Sequence, residues 1–326
     1  MTLDQLRIFV AVAERQHVTR AAHALNLAQS AASAAIAALE GQYRTALFHR
    51  VGRGIELTEA GRLFLAEARD VLARARAAER VLADMGGLKR GTLLVQASQT
   101  IASYWLPRHL VAFRRAWPDI EIRLSAGNTA QVAHGVREGA AELGFVEGVV
   151  DDPALSSSVV GRDQMLVLVA PGHEWAAGAP VTPRDLTASE WVLREPGSGT
   201  RSEFEAALDR FGLVSGQLRV AFELPTNEAV RAAAEAGAGA TALSASVAAP
   251  SLEAGLLCQV NLALPDRAFH VLQHRERYLS RGAEALLRIV SGISPCAPPI
   301  PPAPPVPARF PSTVPDRAGN VPPSPC

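Results

Sequence analysis

The chain has 326 residues, 48% of them apolar and 20% charged, with 32 basic residues against 32 acidic ones. That length suits two or three domains, and that composition is globular rather than disordered. The balanced charge means that any nucleic-acid contact has to come from a local patch. Cys258, Cys296 and Cys326 have no paired spacing, so neither a disulfide framework nor a zinc pattern is expected. Met1 to Arg7 mixes polar and apolar residues and includes Asp4, which is not a signal-peptide pattern. No apolar run approaches the roughly eighteen residues a membrane span needs, so the expected setting is the cytoplasm, without a membrane.

Apolar residues from Leu3 to about Gln16 fall at helical spacing. After a break, Thr19 is placed to cap a second short helix ending near Leu25. Asn26 and Leu27 form a tight turn. A third helix is expected from about Gln29 to Tyr43, with Ala32, Ile36 and Leu39 on one face. Leu47 to Leu57 reads as a two-stranded ribbon with a basic tip at Gly52-Arg53-Gly54. A long helix follows, from near Thr58 to about Met85. Phe64, Ala68, Val71, Ala75, Ala78, Leu82 and Met85 form a heptad seam on it, the pattern of a dimer contact. Gly86, Gly87 and Gly91 end this helix and supply a hinge. From Thr92 strands alternate with helices, which predicts an α/β domain with mainly parallel sheets in two lobes. Pro295 to Cys326 is dominated by proline, so a disordered or polyproline-like tail is expected, more simply a solvated extension than a ligand for proline-binding modules.

The first segments together form a winged helix-turn-helix pattern. Such a module places short polar side chains of a recognition helix at base edges in the major groove. Gln29, Ser30 and Ser33 stand at the start of the third helix, and Arg50 and Arg53 stand where a wing meets the DNA backbone. Through Leu57 there are six arginines against four acids, a small local excess. Leu6, Phe9, Val12, Ala21, Ala22, Leu25, Gln29, Ser33, Ile36, Leu39 and Glu40, followed by Leu47, Phe48, Arg50, Leu57, Thr58, Ala60 and Gly61, resemble the DNA-binding signature of the LysR family of bacterial transcriptional regulators. Two positions depart from it. His17 stands where a serine usually precedes the second helix, and Ala28 where a serine usually caps the recognition helix. Ser30 is then the alternative cap, with a later helix start.

In the second half, four turns at the carboxyl ends of strands carry hydroxyl or glycine residues: Ser98-Gln99-Thr100, Gly127-Asn128-Thr129, Val146-Glu147-Gly148 and Pro196 to Arg201. Ligands of α/β sheets bind at such ends, where helix N-termini point into a crevice. The expected site for a small, anionic effector comprises Ser98, Thr100, Asn128, Thr129, Glu147, Ser198, Thr200 and Arg201, with Arg201 meeting the ligand's charge. Glu147 opposes an anion unless it orients Arg201 or meets a donor on the ligand. The stretch from about Gly91 to Val290 resembles the type 2 periplasmic-binding-protein fold of LysR effector domains, in the subgroup of CysL-like and CO2-fixation regulators. The expected domains are therefore a winged helix-turn-helix at 1–58, a linker and dimerisation helix at 59–87, an effector domain at 91–290 and a tail at 295–326. Within the effector domain, lobe 1 is about 91–162 and 268–290 and lobe 2 about 163–267. The resemblance implies a homodimer or homotetramer on promoter inverted repeats of double-stranded DNA, with RNA polymerase as a further partner and no cofactor or metal. Gly237 and Gly239 follow a helix rather than a strand, which excludes a dinucleotide loop. His270 and His274 lack further ligands, and Ser198 lacks the nucleophile-elbow spacing, so no enzyme activity is expected. The rival is a small-molecule-binding protein or enzyme with an incidental helical N-terminus.

Overall fold

The computed structural model describes residues 1–52, 54–85 and 91–292. Arg53, the hinge glycines Gly86 and Gly87, Cys296, Cys326 and the proline-rich tail lie outside the described residues.

The chain opens with helix α1 (Leu3–Arg15), set by a capping box in which Thr2 and Gln5 satisfy each other's backbone N–H groups. Helix α2 (Val18–Ala24) is capped not by Thr19 but by His17, whose Nδ1 accepts from the Arg20 N–H at 3.4 Å. The imidazole thus takes the role that a hydroxyl usually has at this position. Asn26, in the left-handed region at φ 55°, turns the chain into α3 (Gln29–Tyr43). Helix α3 starts at Gln29 with Ala28 as a cap residue that makes no side-chain bond, so Ser30 lies inside the helix and does not cap it. Leu6, Phe9, Val12, Ala21, Ala22, Ala32, Ile36 and Leu39 bury one core between the three helices. Strands β1 (Phe48–Val51) and β2 (Gly54–Leu57) pair antiparallel as the wing. The Glu40 carboxylate accepts from the Leu47 and Phe48 N–H groups at 2.7 and 3.1 Å, tying the end of α3 to the wing.

Helix α4 (Glu59–Met85) begins where Gly61 passes against Leu47, an approach in which a side chain would collide with the Leu47 carbonyl. The seam read from the sequence divides in the structure. Ala68 is consumed by the reading head's own core, and Phe64 packs on Phe9 with ring centroids 4.9 Å apart. Val71, Ala78, Leu82 and Met85 remain exposed. Another face of α4 lies on the second half of the chain: Ala73 and Ala77 are buried, Asp84 accepts from the Tyr278 hydroxyl at 2.8 Å, and Arg277 pairs with Asp70 at 3.1 Å.

That second half holds three sheets in two lobes. Strands β3 (Gly91–Ser98), β4 (Ile120–Gly127), β5 (Leu143–Glu147), β6 (Leu155–Asp163) and β12 (Arg267–His274) form one sheet in the order β4-β3-β5-β12-β6. Helices α5 (Leu106–Ala116), α6 (Thr129–Arg137) and α10 (Arg281–Val290) cover it. The chain leaves this sheet after Asp163 and returns at Arg267, and those two residues face each other in the β6–β12 register. Between them lies the second lobe, with β7 (Met165–Val169), β8 (Glu190–Arg194), β9 (Arg219–Leu224), β10 (Thr241–Ser244) and β11 (Cys258–Gln259). A parallel bridge from Trp191 to Ala240 joins its two small sheets, and α7 (Gly199–Arg210), α8 (Asn227–Glu235) and α9 (Ala245–Glu253) pack on them. The pairings are mixed rather than mainly parallel: β5, β12 and β6 run antiparallel in turn, as do β10, β7 and β11. β6 contains Ser156-Ser157-Ser158 and reads as loop by itself; its strand character comes from pairing with β12. α9 contains Pro250, which obscured it as a helix.

Candidate DNA-reading and effector sites

On the reading head, α3 shows solvent a face of short side chains. Gln29, Ser30, Ala34, Ala37 and Ala38 are exposed, and the Gln29 amide donates to Ser33 Oγ at 3.0 Å. Small residues here let the helix backbone approach a groove closely, and Gln29 and Ser33 offer donors and acceptors for base edges. The uncapped N-terminus of α3 leaves N–H groups free, the arrangement that favours a phosphate. Arg50 is exposed on the wing and enters no ion pair among the described residues; the same holds for Arg20 on α2 and Arg44 after α3. Arg7 and Arg15 differ, being paired with Asp4 and Glu14. Arg20 and Arg44 were counted in the sequence as charge only. Which basic residues are left unpaired depends on side-chain neighbours that spacing does not reveal.

Apart from Arg201, the expected effector residues lie where the two lobes meet, though in different states. Ser98 ends β3, and its Oγ is buried with no partner among the described residues. Thr129 Oγ1, in the first turn of α6, is buried and unpartnered in the same way. Glu147 ends β5 and is 2% exposed. Facing Thr129 and Glu147 from the second lobe is the start of α7. Its cap residue, Ser198, is buried but makes no side-chain cap bond. A Cβ on Gly199 would sit 2.5 Å from Thr129 Oγ1 and 2.7 Å from Glu147 Oε2, so only glycine allows this approach.

The remaining expected residues are occupied. Asn128 caps α6, and its amide donates across the cleft to Glu195 Oε1 at 3.3 Å. Thr100 Oγ1 accepts from the Asn227 amide at 3.0 Å. Thr200 Oγ1 accepts from Arg267 at 3.1 Å. Arg201 has to be corrected. Its guanidinium pairs with Glu205 at 2.9 Å and Glu223 at 3.0 Å and donates to the Arg194 carbonyl, so it is turned along α7 and not toward the hydroxyl cluster.

Several site residues had no local signal. Arg267 is fully buried, bonds Asp163 at 2.7 and 2.9 Å, and reaches Thr200 with its remaining nitrogen. Arg194 is held by Glu195 and by Asn227 Oδ1 at 2.6 Å. Gln99 joins the lobes through the Pro225 carbonyl and the Asn227 N–H. Burial pushes the Glu203 carboxyl above its ordinary value; Arg267 works against this, and Glu147 adds to it.

Residues 3–62 match the family of bacterial regulatory helix-turn-helix proteins of the lysR type, and residues 86–292 match the LysR substrate binding domain. The chain belongs to the LysR family. It is 35% identical over 291 residues to the Escherichia coli K12 HTH-type transcriptional regulator YeiE, covering 88% of this chain and 96% of that one. A probable RuBisCO transcriptional regulator of Porphyra purpurea is 30% identical over 288 residues, covering 87% and 91%. Full-length CbnR in complex with its target DNA shares the fold at a TM-score of 0.64 and 23% identity, covering 90% of this chain and 99% of that chain. This LysR-family chain is therefore a DNA-binding transcriptional regulator with an effector-binding domain, and the rival reading as an enzyme is set aside. The relationship to CO2-fixation regulators read from the sequence also holds.

Proposed function

We propose that the protein is an effector-gated regulator working as a dimer or tetramer on inverted repeats in promoter DNA in the cytoplasm, where RNA polymerase is a further partner. Gln29, Ser30 and Ser33 read bases, while Arg50, Arg53, Arg20 and Arg44 hold phosphates. Two-fold symmetry of the protein would match two half-sites one or more helical turns apart. The stripe Val71, Ala78, Leu82 and Met85 supports pairing of two α4 helices. At the other end of α4, Met1, Leu39, Tyr43, Leu47, Ala60 and Phe64 line an apolar groove of about 330 Å³. An antiparallel partner helix would bring its Leu82 end to that groove. Leu82→Asp is expected to shift the protein to monomer in sedimentation; an unchanged oligomer rules the stripe out as the contact.

The effector is a small anion held between the lobes by Ser98, Thr129, Ser198 and the start of α7, with Asn128, Thr100 and Thr200 shaping the walls. The observation that carries this is the pair of buried, unpartnered hydroxyls, Ser98 Oγ and Thr129 Oγ1. Buried polar groups are bonded in the great majority of native structures, so two orphaned hydroxyls, one of them against an uncapped helix start, support a site that takes acceptors. Binding there biases lobe closure and, through the α4 contacts, the spacing of the reading heads; effector and DNA affinities must then be linked reciprocally. The test is a promoter-DNA shift over a panel of small anions with wild type and Ser98→Ala/Thr129→Ala. The double variant is expected to keep basal DNA binding and lose the effector response. A retained response means that the effector binds elsewhere.

A further inference from the structure

We infer that the seat of α4 on the first lobe is a proton-linked joint. Glu142 and Asp84 meet at the start of α10, and a proton taken up by Glu142 holds α4 against the lobe. Mildly acidic solution therefore fixes the orientation of the reading head, and rising pH releases it. The consequence for DNA rests on the reading above, in which the α4 contacts set the spacing of the heads.

Helix α4 is held differently along its length. Toward its start, Phe64, Leu65, Ala68 and Leu72 enter the apolar core of the head. Further along, its buried contacts to the first lobe are small: Ala73 and Ala77. Ala73 sits so close that a Cβ on Gly139 would lie 2.5 Å from its own Cβ. Around this contact the seat is polar. Arg74 faces Glu276 at 3.4 Å, Arg76 donates to the Gly139 carbonyl at 3.4 Å, and Arg277 pairs with Asp70 at 3.1 Å. Exposed ion pairs around a small apolar contact hold weakly, so this seat can part while the head core stays whole.

Two carboxyl groups converge at this seat on one helix start. Ser280 caps α10, and its N–H donates to Glu142, which stands just ahead of β5. The next N–H, that of Arg281, donates to Asp84 of α4 at 3.0 Å. Bonds to consecutive N–H groups set the two side chains next to each other. Asp84 also accepts from the Tyr278 hydroxyl at 2.8 Å. Glu142 is less well provided. Its side chain is 5% exposed, and Arg80 stops 3.7 Å away, with an Nε that has no hydrogen-bond partner among the described residues. The cavity beside it, lined by Arg80, His274, Arg277 and Tyr278, measures about 10 Å³, room for no more than about one water.

A buried carboxyl with a like charge beside it and a cation beyond bonding reach favours its neutral form. Burial accordingly pushes Glu142 above its ordinary value; Ser280 and Arg80 oppose this, and Asp84 adds to it. Asp84 and the cover given by α4 are present only when α4 is seated. By linkage, a group that gains proton affinity on seating makes the proton favour the seat. That contribution is present below the ordinary value of 4.5 and is lost as pH rises through the elevated one. Of the other groups facing the joint, Arg277 is committed to Asp70 and the Val136 carbonyl. His274 acts in the opposite sense: burial and Arg277 push its imidazole below the ordinary value, so its protonation disfavours the seat.

The experiment is pulsed dipolar EPR on the full-length chain between pH 5 and pH 8. Cys258, Cys296 and Cys326 are replaced by serine, and spin labels are placed at Ala66→Cys on α4 and Ala112→Cys on α5, both exposed positions. Excess unlabelled chain restricts the signal to pairs within one chain. In wild type the ratio of released to seated α4 is expected to rise at least about threefold from pH 5 to pH 8. Glu142→Gln, neutral at every pH, is expected to stay seated throughout. Asp84→Asn keeps an acceptor for Arg281 and Tyr278 and is expected to shrink the rise. A ratio that does not follow pH in wild type overturns the inference. So does a rise that survives Glu142→Gln, which assigns the pH response to His274. If the Glu142→Gln chain fails to fold, Asp84→Asn decides, and an unchanged rise overturns the carboxyl pair. A DNase footprint on promoter DNA at the two pH extremes separates the levels of the argument. A seat that follows pH while the footprint stays the same leaves the joint standing and removes its control of head spacing. A footprint that changes with pH in wild type and not in Glu142→Gln supports both.

Discussion

The reading head and the interlobe cleft each have a buried interior, but the two interiors are held by opposite kinds of interaction. In the head, Phe9, Val12, Ala21, Ala22, Ile36 and Leu39 meet through apolar area alone. Its part-buried polar contact is local, with Glu40 accepting from N–H groups seven and eight residues away. In the cleft, the decisive contacts are polar and distant in sequence: Arg267 to Asp163 spans 104 residues and Asn227 to Thr100 spans 127. Apolar burial is non-directional and tolerates shape-conserving change. Buried ion pairs and hydrogen bonds are directional, and losing one partner strands the other.

The largest effects should therefore come from the cleft. Arg267→Leu leaves Asp163 with the Ser244 hydroxyl alone and Thr200 Oγ1 without the guanidinium, and breaking such a buried pair costs about 3–5 kcal/mol. Urea unfolding of the purified chain checks this, and Arg267→Lys should recover little, because one ammonium cannot reproduce the two bonds to Asp163 and the third to Thr200. Phe9→Ala in the head is expected to cost about 3–5 kcal/mol by cavity formation, whereas Phe9→Leu should cost under about 1.5 kcal/mol. If Phe9→Leu proves as damaging as Arg267→Lys, the contrast between the two regions fails.

Next in size is closure. Gly199→Ala puts a methyl group against Thr129 and Glu147 and should weaken effector binding by at least about tenfold, with DNA binding in the absence of effector unchanged. Fluorescence titration with the effector identified by the anion panel reads this.

A smaller effect concerns Glu142, which lies where α4 meets the β5 sheet. It accepts from the Ser280 N–H and faces Arg80 at 3.7 Å. Burial pushes its carboxyl above its ordinary value, against the pull of the Ser280 bond and Arg80. Its folded form thus prefers the proton. The associated stability is present below the unfolded-state value of 4.5 and is lost as pH rises through the elevated folded-state value. Glu142→Gln keeps an acceptor for Ser280 and should flatten the decline of the urea midpoint as pH rises from 4.5 toward neutrality. A decline of unchanged slope would remove Glu142 as its source.

The smallest effect returns to the head. Ala28→Ser supplies the cap that α3 lacks and should stabilise the chain by about 1 kcal/mol. The same hydroxyl would compete with a DNA phosphate for the α3 N–H groups, so a gain in thermal midpoint together with weaker, less salt-dependent DNA binding is the expected pair of readings.

Legibility in the sequence follows the same division. Helices α1, α3 and α4 could be read because apolar periodicity is local. His17 and Ala28 stood out as departures, yet only side-chain geometry assigned the cap to His17 and left α3 without one. In the effector domain the turns bearing Ser98, Asn128, Thr129, Glu147 and Ser198 were visible as hydroxyl and glycine clusters at strand ends. Their division into orphaned and occupied groups was not, and the same blindness sent Arg201 toward the ligand when Glu205 and Glu223 hold it. β6 was missed because a serine-rich edge acquires strand character only from β12.

By itself the sequence determined the order of segments and the family, and it offered most of the residues proposed for the two sites, because those properties lie in local spacing and residue chemistry. Only the tertiary structure decided which arginines are free, which hydroxyls lack partners, which face of α4 is left exposed, and that Glu147 stands against Gly199 across the cleft. Each of these depends on directional contacts between residues brought together from far apart along the chain, and such contacts leave no periodic trace in it.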